Sequence, residues 1–236
     1  IYKVRFDVAR LASDVKHSQG TMLERFAQSA PFAGRTLPVA TVSRQRNDFM
    51  ARFRFATFLE QSGFSQTAAL ENEALSAAFP ENAAAHNNLG ISYITQQKLA
   101  LAEASFRESL RIQPDFGRAH ANLGILLAQQ GKLVEATRHF KDAVASDPHD
   151  HANREMLARL LLELNRATEA QTHLEKALAI NPRSANAHAY LGRALTDQGA
   201  FRQAIEHLEE ALAIEPNHGD AEQRLAIVKR QIAADK

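Results

Sequence analysis

The sequence contains no cysteine, which excludes disulfide bonds, cysteine-based zinc sites and thiol catalysis. A chain without cysteine is compatible with the cytoplasm or the periplasm, so the compartment stays open. No window approaches the roughly 18 consecutive apolar residues that a membrane-spanning helix requires. The first residues, IYKVRFDVARLASDVK, interrupt their apolar positions with charges and indicate neither a signal peptide nor an anchor. Because the chain begins at Ile1, an upstream leader, anchor or domain is compatible with the sequence.

The chain also has little net charge, +1 over 236 residues, although the charge is unevenly spread. Residues 1–48 hold eight Lys and Arg against four Asp and Glu, whereas the remainder holds 20 against 23. Neither part has the concentrated basic character of a dedicated nucleic-acid-binding protein. The 45% hydrophobic content is enough for a folded, soluble chain of one or two domains.

Catalytic motifs are missing as well. The segment GILLAQQGKL, which starts at Gly124, has the wrong glycine spacing for a phosphate-binding loop and lacks the hydroxyl that would bind magnesium. No nucleophile elbow, HExxH motif or dinucleotide-binding glycine cluster occurs. We therefore expect no enzyme activity and no cofactor in this chain.

What the sequence does have is an internal repeat of 34 residues, visible in AHNNLG at 85–90, AHANLG at 119–124 and AHAYLG from Ala187. Proline, leucine, a small residue, alanine and a large apolar residue each recur in their own column. The columns are Pro80, Pro114, Pro148, Pro182 and Pro216; Leu89, Leu123, Leu157 and Leu191; Gly90, Gly124, Ala158 and Gly192; Ala68, Ala102, Ala136, Ala170 and Ala204; and Phe106, Phe140, Leu174 and Leu208. The small residues indicate places where helices approach closely.

Apolar residues within each repeat are spaced at i, i+3, i+4 and i+7, which predicts two amphipathic helices per repeat. The turn between the two helices is marked in four repeats by a residue that tolerates a left-handed backbone: Gly63, Gly131, Asn165 and Gly199. Gln97 is the exception in the remaining repeat. Helix N-caps are predicted at Asn82, Asp150 and Ser184, and Phe116 breaks that pattern. Helices of about 13 residues are marginal alone in water, so the pairs must stack on one another.

These columns resemble the tetratricopeptide repeat family, whose 34-residue unit is a helix-turn-helix. The resemblance implies an all-α, right-handed α-solenoid, or superhelix. It covers five units at 49–82, 83–116, 117–150, 151–184 and 185–218, preceded by an N-terminal helical extension at 1–48 and followed by a C-terminal capping helix at 219–236. The capping helix keeps Leu225 and Ala226 in the repeat's columns, while its other residues are polar enough to cover the open end.

Several positions depart from the family pattern. The family's aromatic fourth position is occupied by His86, His120 and His188, and Asn72 stands where unit one should have a large apolar residue. In residues 1–48, Val4, Val8, Leu11 and Val15 predict one amphipathic helix, and the capping box TMLE at 21–24 begins another. This extension either packs on unit one, or is a mobile arm, or is the tail of a missing domain.

Two groups of residues suggest chemistry but have simpler explanations. His139, His173 and His207 recur on successive second helices, yet equivalent helices lie roughly 8–10 Å apart, too far for a shared zinc ion. The triplet at 149–151, HDH, is typical of a helix cap, and we assign no metal. The stretch SRQRNDFMARFRFATF at 43–58 mixes arginine with phenylalanine; we expect Phe55 in the leucine column and the arginines on a solvated face, rather than a nucleic-acid site.

The resemblance also implies a binding face, because in this family the first helix of each unit lines the concave surface. The residues predicted to line it are Asn88, Ile91, Arg118, Asn122, Ile125, Arg159, Tyr190 and Arg193. Asn88 and Asn122 carry both a donor and an acceptor and could bind successive peptide groups of an extended segment, or they could merely satisfy neighbouring turns. Arg159 and Arg193 favour a partner of acidic character.

The sequence therefore predicts a protein-interaction scaffold or adaptor that binds a peptide or protein segment, with no nucleic acid and no membrane span. Phe53 and Thr57 replace two residues of the carboxylate clamp found in some family members, so a chaperone-tail receptor is not favoured. The alternative is a regulatory or substrate-presenting arm of a larger enzyme whose catalytic domain lies upstream of Ile1. Self-association through unit one or the terminal helix is a further hypothesis.

Overall fold

The computed structural model describes residues 49–61 and 63–234, and in these residues all regular structure is α-helical. The helices expected in residues 1–48 lie outside the described residues. The eleven described helices are α1 (Phe49–Gln61), α2 (Ser65–Ala78), α3 (Ala83–Thr95), α4 (Leu99–Ile112), α5 (Gly117–Gln129), α6 (Leu133–Ser146), α7 (His151–Glu163), α8 (Ala167–Ile180), α9 (Ala185–Asp197), α10 (Phe201–Ile214) and α11 (Gly219–Ala234). The all-α fold class predicted from the repeat is confirmed.

The chain divides into two compact units, Ile1–Ser105 and Phe106–Lys236, so the division falls inside α4 rather than between two predicted repeats. In the first unit α1 packs on α2, and α2 packs on α3. The core of this unit includes Phe55, Leu59, Ala68 and Leu75, all of which are buried.

In the second unit each helix from α5 to α11 packs on the next, and α9 also contacts both α7 and α11. The alanine and large-residue columns form the centre of this packing. Their side chains are at most 1% exposed: Ala136, Phe140, Ala170, Leu174, Ala204 and Leu208. The apolar surface removed from water by these columns stabilises helices that would be marginal in isolation.

The small-residue column lies where two helices of a pair approach most closely, as predicted. A β-carbon added at Gly124 would lie 2.9 Å from the ring of Phe140, and one at Gly192 would lie 2.5 Å from Cγ of Leu208. Both distances are shorter than real contacts between carbon atoms. The glycines therefore allow α5 to approach α6 and α9 to approach α10.

The turns between paired helices all contain a residue in the left-handed region. Gly63, Gly131 and Gly199 have φ of 82°, 76° and 75°, and Asn165 has φ of 57°. Gln97 has φ of 59°, so it differs from the others in residue type but not in conformation. A residue with a β-carbon pays a steric cost in this region, which glycine avoids.

Three predicted N-caps are confirmed by hydrogen bonds. The side chains of Asn82, Asp150 and Ser184 accept from backbone N–H groups three residues later, at 3.1, 3.0 and 3.2 Å. Phe116 makes no such bond. A fourth cap was not predicted: Nδ1 of His218 accepts from the Ala221 N–H at 3.3 Å, at the start of α11.

The first repeat, residues 49–82, compensates for its departures from the family pattern with polar contacts. Asn72 is 4% exposed and donates through Nδ2 to the Ser92 hydroxyl at 2.8 Å. Arg52 was expected on a solvated face, but this was wrong: Arg52 is buried and Nε donates to Glu71 at 2.6 Å. The ion pair is the physical reason that the arginine can be buried. Arg54 is exposed, as expected.

The terminal helix α11 covers apolar residues of α9 and α10. Ala221 and Val228 are fully buried against Ala189, Leu208 and Ala211, and Leu225 packs at the edge of this cluster. Ala226 keeps its column but is exposed. In earlier repeats this small-residue column faces the second helix of the same pair. Because α11 is the last described helix, no described second helix covers Ala226. None of the described helices combines the length and apolar character needed to cross a membrane.

Candidate partner-binding face

Arg118, Asn122 and Ile125 of the second unit lie on α5 at positions i, i+4 and i+7, which places them on one face of that helix. Arg118 is exposed, Ile125 is 39% exposed and Asn122 is half-buried. A row of a cation, an amide and a β-branched apolar side chain is suited to bind an extended segment that has both apolar and polar groups.

Arg159, Tyr190 and Arg193 are brought together by the contact between α7 and α9. Burial raises the pKa of the Tyr190 hydroxyl, and the positive charges of Arg159 and Arg193 oppose that rise. Arg193 donates to Glu163 at 2.6 Å. Because this carboxylate already compensates Arg193, less of its positive charge is available to a partner than the sequence suggested.

Arg159 differs from Arg193 because its Nε is buried and has no hydrogen-bond partner among the described residues. An unsatisfied buried donor is costly, and a partner's carbonyl or carboxylate would satisfy it. Oε1 of Glu155, one turn earlier on α7, accepts from the Ser184 hydroxyl at 2.8 Å and lies 3.0 Å from Nδ1 of His151. The histidine does not lie between serine and carboxylate, so this trio lacks the order of a catalytic triad.

In the first unit, Asn88 and Ile91 lie on α3. Ile91 is 37% exposed, and Oδ1 of Asn88 accepts a long hydrogen bond of 3.4 Å from Nδ2 of Asn87. This contact is weak, because bonds of this length are at the edge of hydrogen-bonding geometry. Within the described part of the chain, this long bond is the hydrogen bond that Oδ1 of Asn88 makes.

The residues at the family's aromatic fourth position have a structural role that sequence reasoning missed. Each sits six residues after a repeat proline and bonds that proline's carbonyl oxygen: His86 to Pro80 at 2.9 Å, His120 to Pro114 at 2.8 Å, Arg154 to Pro148 at 2.7 Å and His188 to Pro182 at 3.2 Å. The signal was present, because a histidine or arginine follows four successive prolines at this constant interval.

Two of these histidines also pair with a histidine on the second helix of the same repeat. Nδ1 of His120 lies 2.9 Å from Nδ1 of His139, and Nδ1 of His188 lies 3.1 Å from Nδ1 of His207. Burial is the main cause of the lowered pKa of His139 and of His207, and in each pair the facing imidazole lowers that pKa further. The sequence analysis compared histidines on equivalent helices and so missed these pairs across the two helices of one repeat.

His173 stands at the same position of the next repeat, where Arg154 replaces the histidine on the facing helix. Burial lowers the pKa of His173, and the positive charge of Arg154 acts in the same direction. The imidazole is therefore held in its neutral form more strongly than a solvated histidine.

The helix pairs, their alanine and glycine columns and their left-handed turns define a helical-repeat protein. Family models described as tetratricopeptide repeat match residues 54–115, 92–151, 127–194 and 185–218. The chain belongs to the tetratricopeptide repeat family, whose repeats are generally non-catalytic interaction modules.

Solved structures of the same fold confirm the solenoid class. YrrB, described as a TPR protein with an unusual peptide-binding site, is 20% identical, with 78% of this chain and 95% of that chain covered and a TM-score of 0.66. MamA from Desulfovibrio magneticus RS-1 is 16% identical over 72% and 97% of the chains, with a TM-score of 0.63. PilF of Pseudomonas aeruginosa is 18% identical over 78% and 90%, also with a TM-score of 0.63. No curated protein matches the sequence.

Proposed function

We propose that the chain is a non-catalytic protein-interaction scaffold that binds an extended segment of a partner protein on the faces of its first helices. The observation that carries the proposal is the surface of α5, α7 and α9 in the second unit. There an exposed isoleucine, a half-buried amide, a half-buried tyrosine and an arginine with an unsatisfied Nε occur on the helices that the family uses for binding.

The proposed binding chemistry combines main-chain recognition with one charge contact. The side-chain amides of Asn88, in the first unit, and Asn122, in the second, each offer a donor and an acceptor for peptide groups. Ile91 and Ile125 add apolar contact beside them. Arg159 supplies the cation for an acidic group of the partner, since Arg193 is already paired with Glu163.

The proposal is tested by screening the chain against displayed random peptides and measuring the selected peptides by titration calorimetry. We expect selected sequences to contain Asp or Glu. Changing Asn88 and Asn122 together to Ala should weaken binding, because each lost buried hydrogen bond costs about 1–3 kcal/mol. Arg159→Ala should weaken the binding of acidic peptides more than the binding of neutral ones.

The matched control is Arg138→Ala, which removes an exposed arginine from the second helix α6. It should leave affinity unchanged. Circular dichroism should show the same helical content for every variant. If the double asparagine variant and Arg159→Ala both bind the selected peptides as tightly as the unchanged chain, this face is not the binding surface.

A further inference from the structure

Three potential metal ligands meet on one surface of the second unit, between α5 and α6. They are His120 Nδ1, His139 Nδ1 and a carboxylate oxygen of Asp142, and all three atoms lie within 4.8 Å of one another. The two nitrogens are 2.9 Å apart, and the carboxylate oxygen lies 3.8 Å from His120 Nδ1. His139 and Asp142 are three residues apart on α6, so the helix presents both on the same face.

The position of the lone pair on His120 follows from its other ring nitrogen. Nε2 lies 2.8 Å from the carbonyl oxygen of Pro114, which can only accept a hydrogen bond. Nε2 therefore carries the proton in the neutral ring, and Nδ1 directs its lone pair towards His139 and Asp142. Histidines that bind metals are commonly oriented in this way, by donating their second N–H to a backbone carbonyl.

The surroundings provide both a fixed ligand and access. His120 is only 8% exposed and is held in place by Pro114, whereas the Asp142 side chain is 59% exposed and can adjust to an incoming ion. An open cleft of about 540 Å³ adjoins the cluster and is lined by Pro114, Asp115, His120, Asp142, Ala145 and Ser146. An ion can therefore reach His120 and Asp142 from solvent through this cleft and can keep a water in its remaining position.

We propose that His120, His139 and Asp142 form a binding site for a divalent transition metal, with Zn²⁺ as the ion whose preferred ligands they match. Zinc binds imidazole nitrogen and carboxylate oxygen at about 2.0–2.2 Å in tetrahedral geometry, which separates neighbouring ligand atoms by roughly 3.3 Å. The observed 2.9 Å between nitrogens and 3.8 Å to the carboxylate lie on either side of that value. Because His120 Nδ1 is the acceptor, the proton between the two Nδ1 atoms belongs to His139. When the ion binds, the neutral His139 ring would take the tautomer that is protonated on Nε2, which frees its Nδ1 lone pair for the metal.

The second histidine pair provides an internal comparison. His188 and His207 have the same arrangement, with 3.1 Å between their Nδ1 atoms and 3.2 Å from His188 Nε2 to the Pro182 carbonyl. Among the residues that the structure describes, only the cluster with Asp142 brings a third ligand within the same range. The carboxylate therefore distinguishes a proposed metal site from a pair of hydrogen-bonded histidines.

The test is titration of the full chain, without a histidine tag, with Co²⁺ and Zn²⁺ after treatment with a chelator. We expect one Co²⁺ to bind with the visible absorption of a tetrahedral nitrogen and oxygen site, and Zn²⁺ to displace it. Asp142→Asn should weaken Zn²⁺ binding about tenfold or more, which is at least what loss of a supporting contact costs. His139→Ala should abolish the tetrahedral spectrum.

His207→Ala is the matched control, because it removes the equivalent histidine of the second pair. It should leave the affinity and the spectrum unchanged. Because the Asp142 side chain is exposed, Asp142→Asn should keep the thermal stability of the unchanged chain, which separates loss of a ligand from loss of the fold. The proposal is overturned if Co²⁺ gives only an octahedral spectrum, if Asp142→Asn binds as tightly as the unchanged chain, or if His207→Ala weakens binding as much as His139→Ala.

Discussion

At the scale of single residues, two repeats of the second unit combine complementary sizes in the small-residue and large-residue columns. Where the small column holds Gly124, the large column holds Phe140; where it holds Ala158, the large column holds Leu174. Ala158 and Leu174 are both fully buried, so an alanine and a leucine fit together in this arrangement. A planar phenylalanine ring has fewer ways to move aside than a leucine.

We predict that Gly124→Ala lowers the free energy of unfolding by about 1–2 kcal/mol, because overpacking against the Phe140 ring outweighs the better helix propensity of alanine. Chemical denaturation followed by circular dichroism measures this change. Adding Phe140→Leu should recover part of the loss, with a favourable coupling of about 0.5 kcal/mol or more. Gly219→Ala is the control, because a β-carbon there meets nothing within 4 Å. Strictly additive losses would contradict the size-matching argument.

Residue columns were predictable from the sequence because buried positions tolerate few sizes and so repeat visibly. Individual polar contacts were not, because they depend on which helices face each other in space. Arg52 was expected in solvent and is buried with Glu71, and the His120–His139 pair joins two helices that the sequence comparison treated separately. The binding role of Asn88 and Asn122 stays a prediction.

At the scale of helices, the start of each first helix depends on its cap, and the caps are unequal. The Asp150 carboxylate accepts from the backbone N–H of Asn153 and from its side-chain amide. The Ser184 hydroxyl accepts from the Ala187 N–H and also donates to the buried carboxylate of Glu155. Loss of Ser184 therefore removes a cap and leaves a buried charge with one donor fewer.

We predict that Ser184→Ala destabilises the chain more than Asp150→Ala. Loss of a cap alone costs about 0.5–2 kcal/mol, and the underpaired Glu155 carboxylate adds about 1–3 kcal/mol to the serine variant. Urea denaturation of both variants measures the difference. Ser184→Thr keeps a hydroxyl at the same position and should restore most of the stability; equal losses for the two alanine variants would show that the Glu155 contact contributes nothing.

Helices and turns were the part of the fold that sequence predicted best, since apolar periodicity and cap residues act locally. The predicted exception at Gln97 shows the limit of reasoning from residue type. The backbone there has the same left-handed conformation as the glycines, because the packing of the flanking helices requires the turn whichever residue occupies it. His218 escaped notice as a cap because histidine is not among the preferred cap residues.

At the scale of the whole chain, a stack of helices leaves an apolar surface on its last pair, and α11 covers it. Ala221 and Val228 are fully buried against α9 and α10, whereas Ile227 beside them is 43% exposed. Terminal helices with a polar outer face are what keep repeat proteins soluble, because the same apolar surface would otherwise bind a second copy. We therefore expect α11 to suppress association through the apolar surface of α9 and α10, which differs from the self-association through unit one or the terminal helix that the sequence left open.

We predict that Val228→Asp detaches α11 and makes the chain self-associate. Burial of Val228 contributes about 1.5–3 kcal/mol, and a carboxylate in its place would have to give up its hydration to remain buried, so the helix should leave the surface instead. Ala189, Leu208 and Ala211, which are buried in the unchanged chain, would then be exposed and form an apolar surface. Sedimentation velocity should show a mass that rises with concentration, together with increased binding of a hydrophobic dye. Ile227→Asp introduces the same charge one residue away on the exposed side and should stay monomeric to the same extent as the unchanged chain, so equal association of the two variants would indicate a charge effect rather than uncapping.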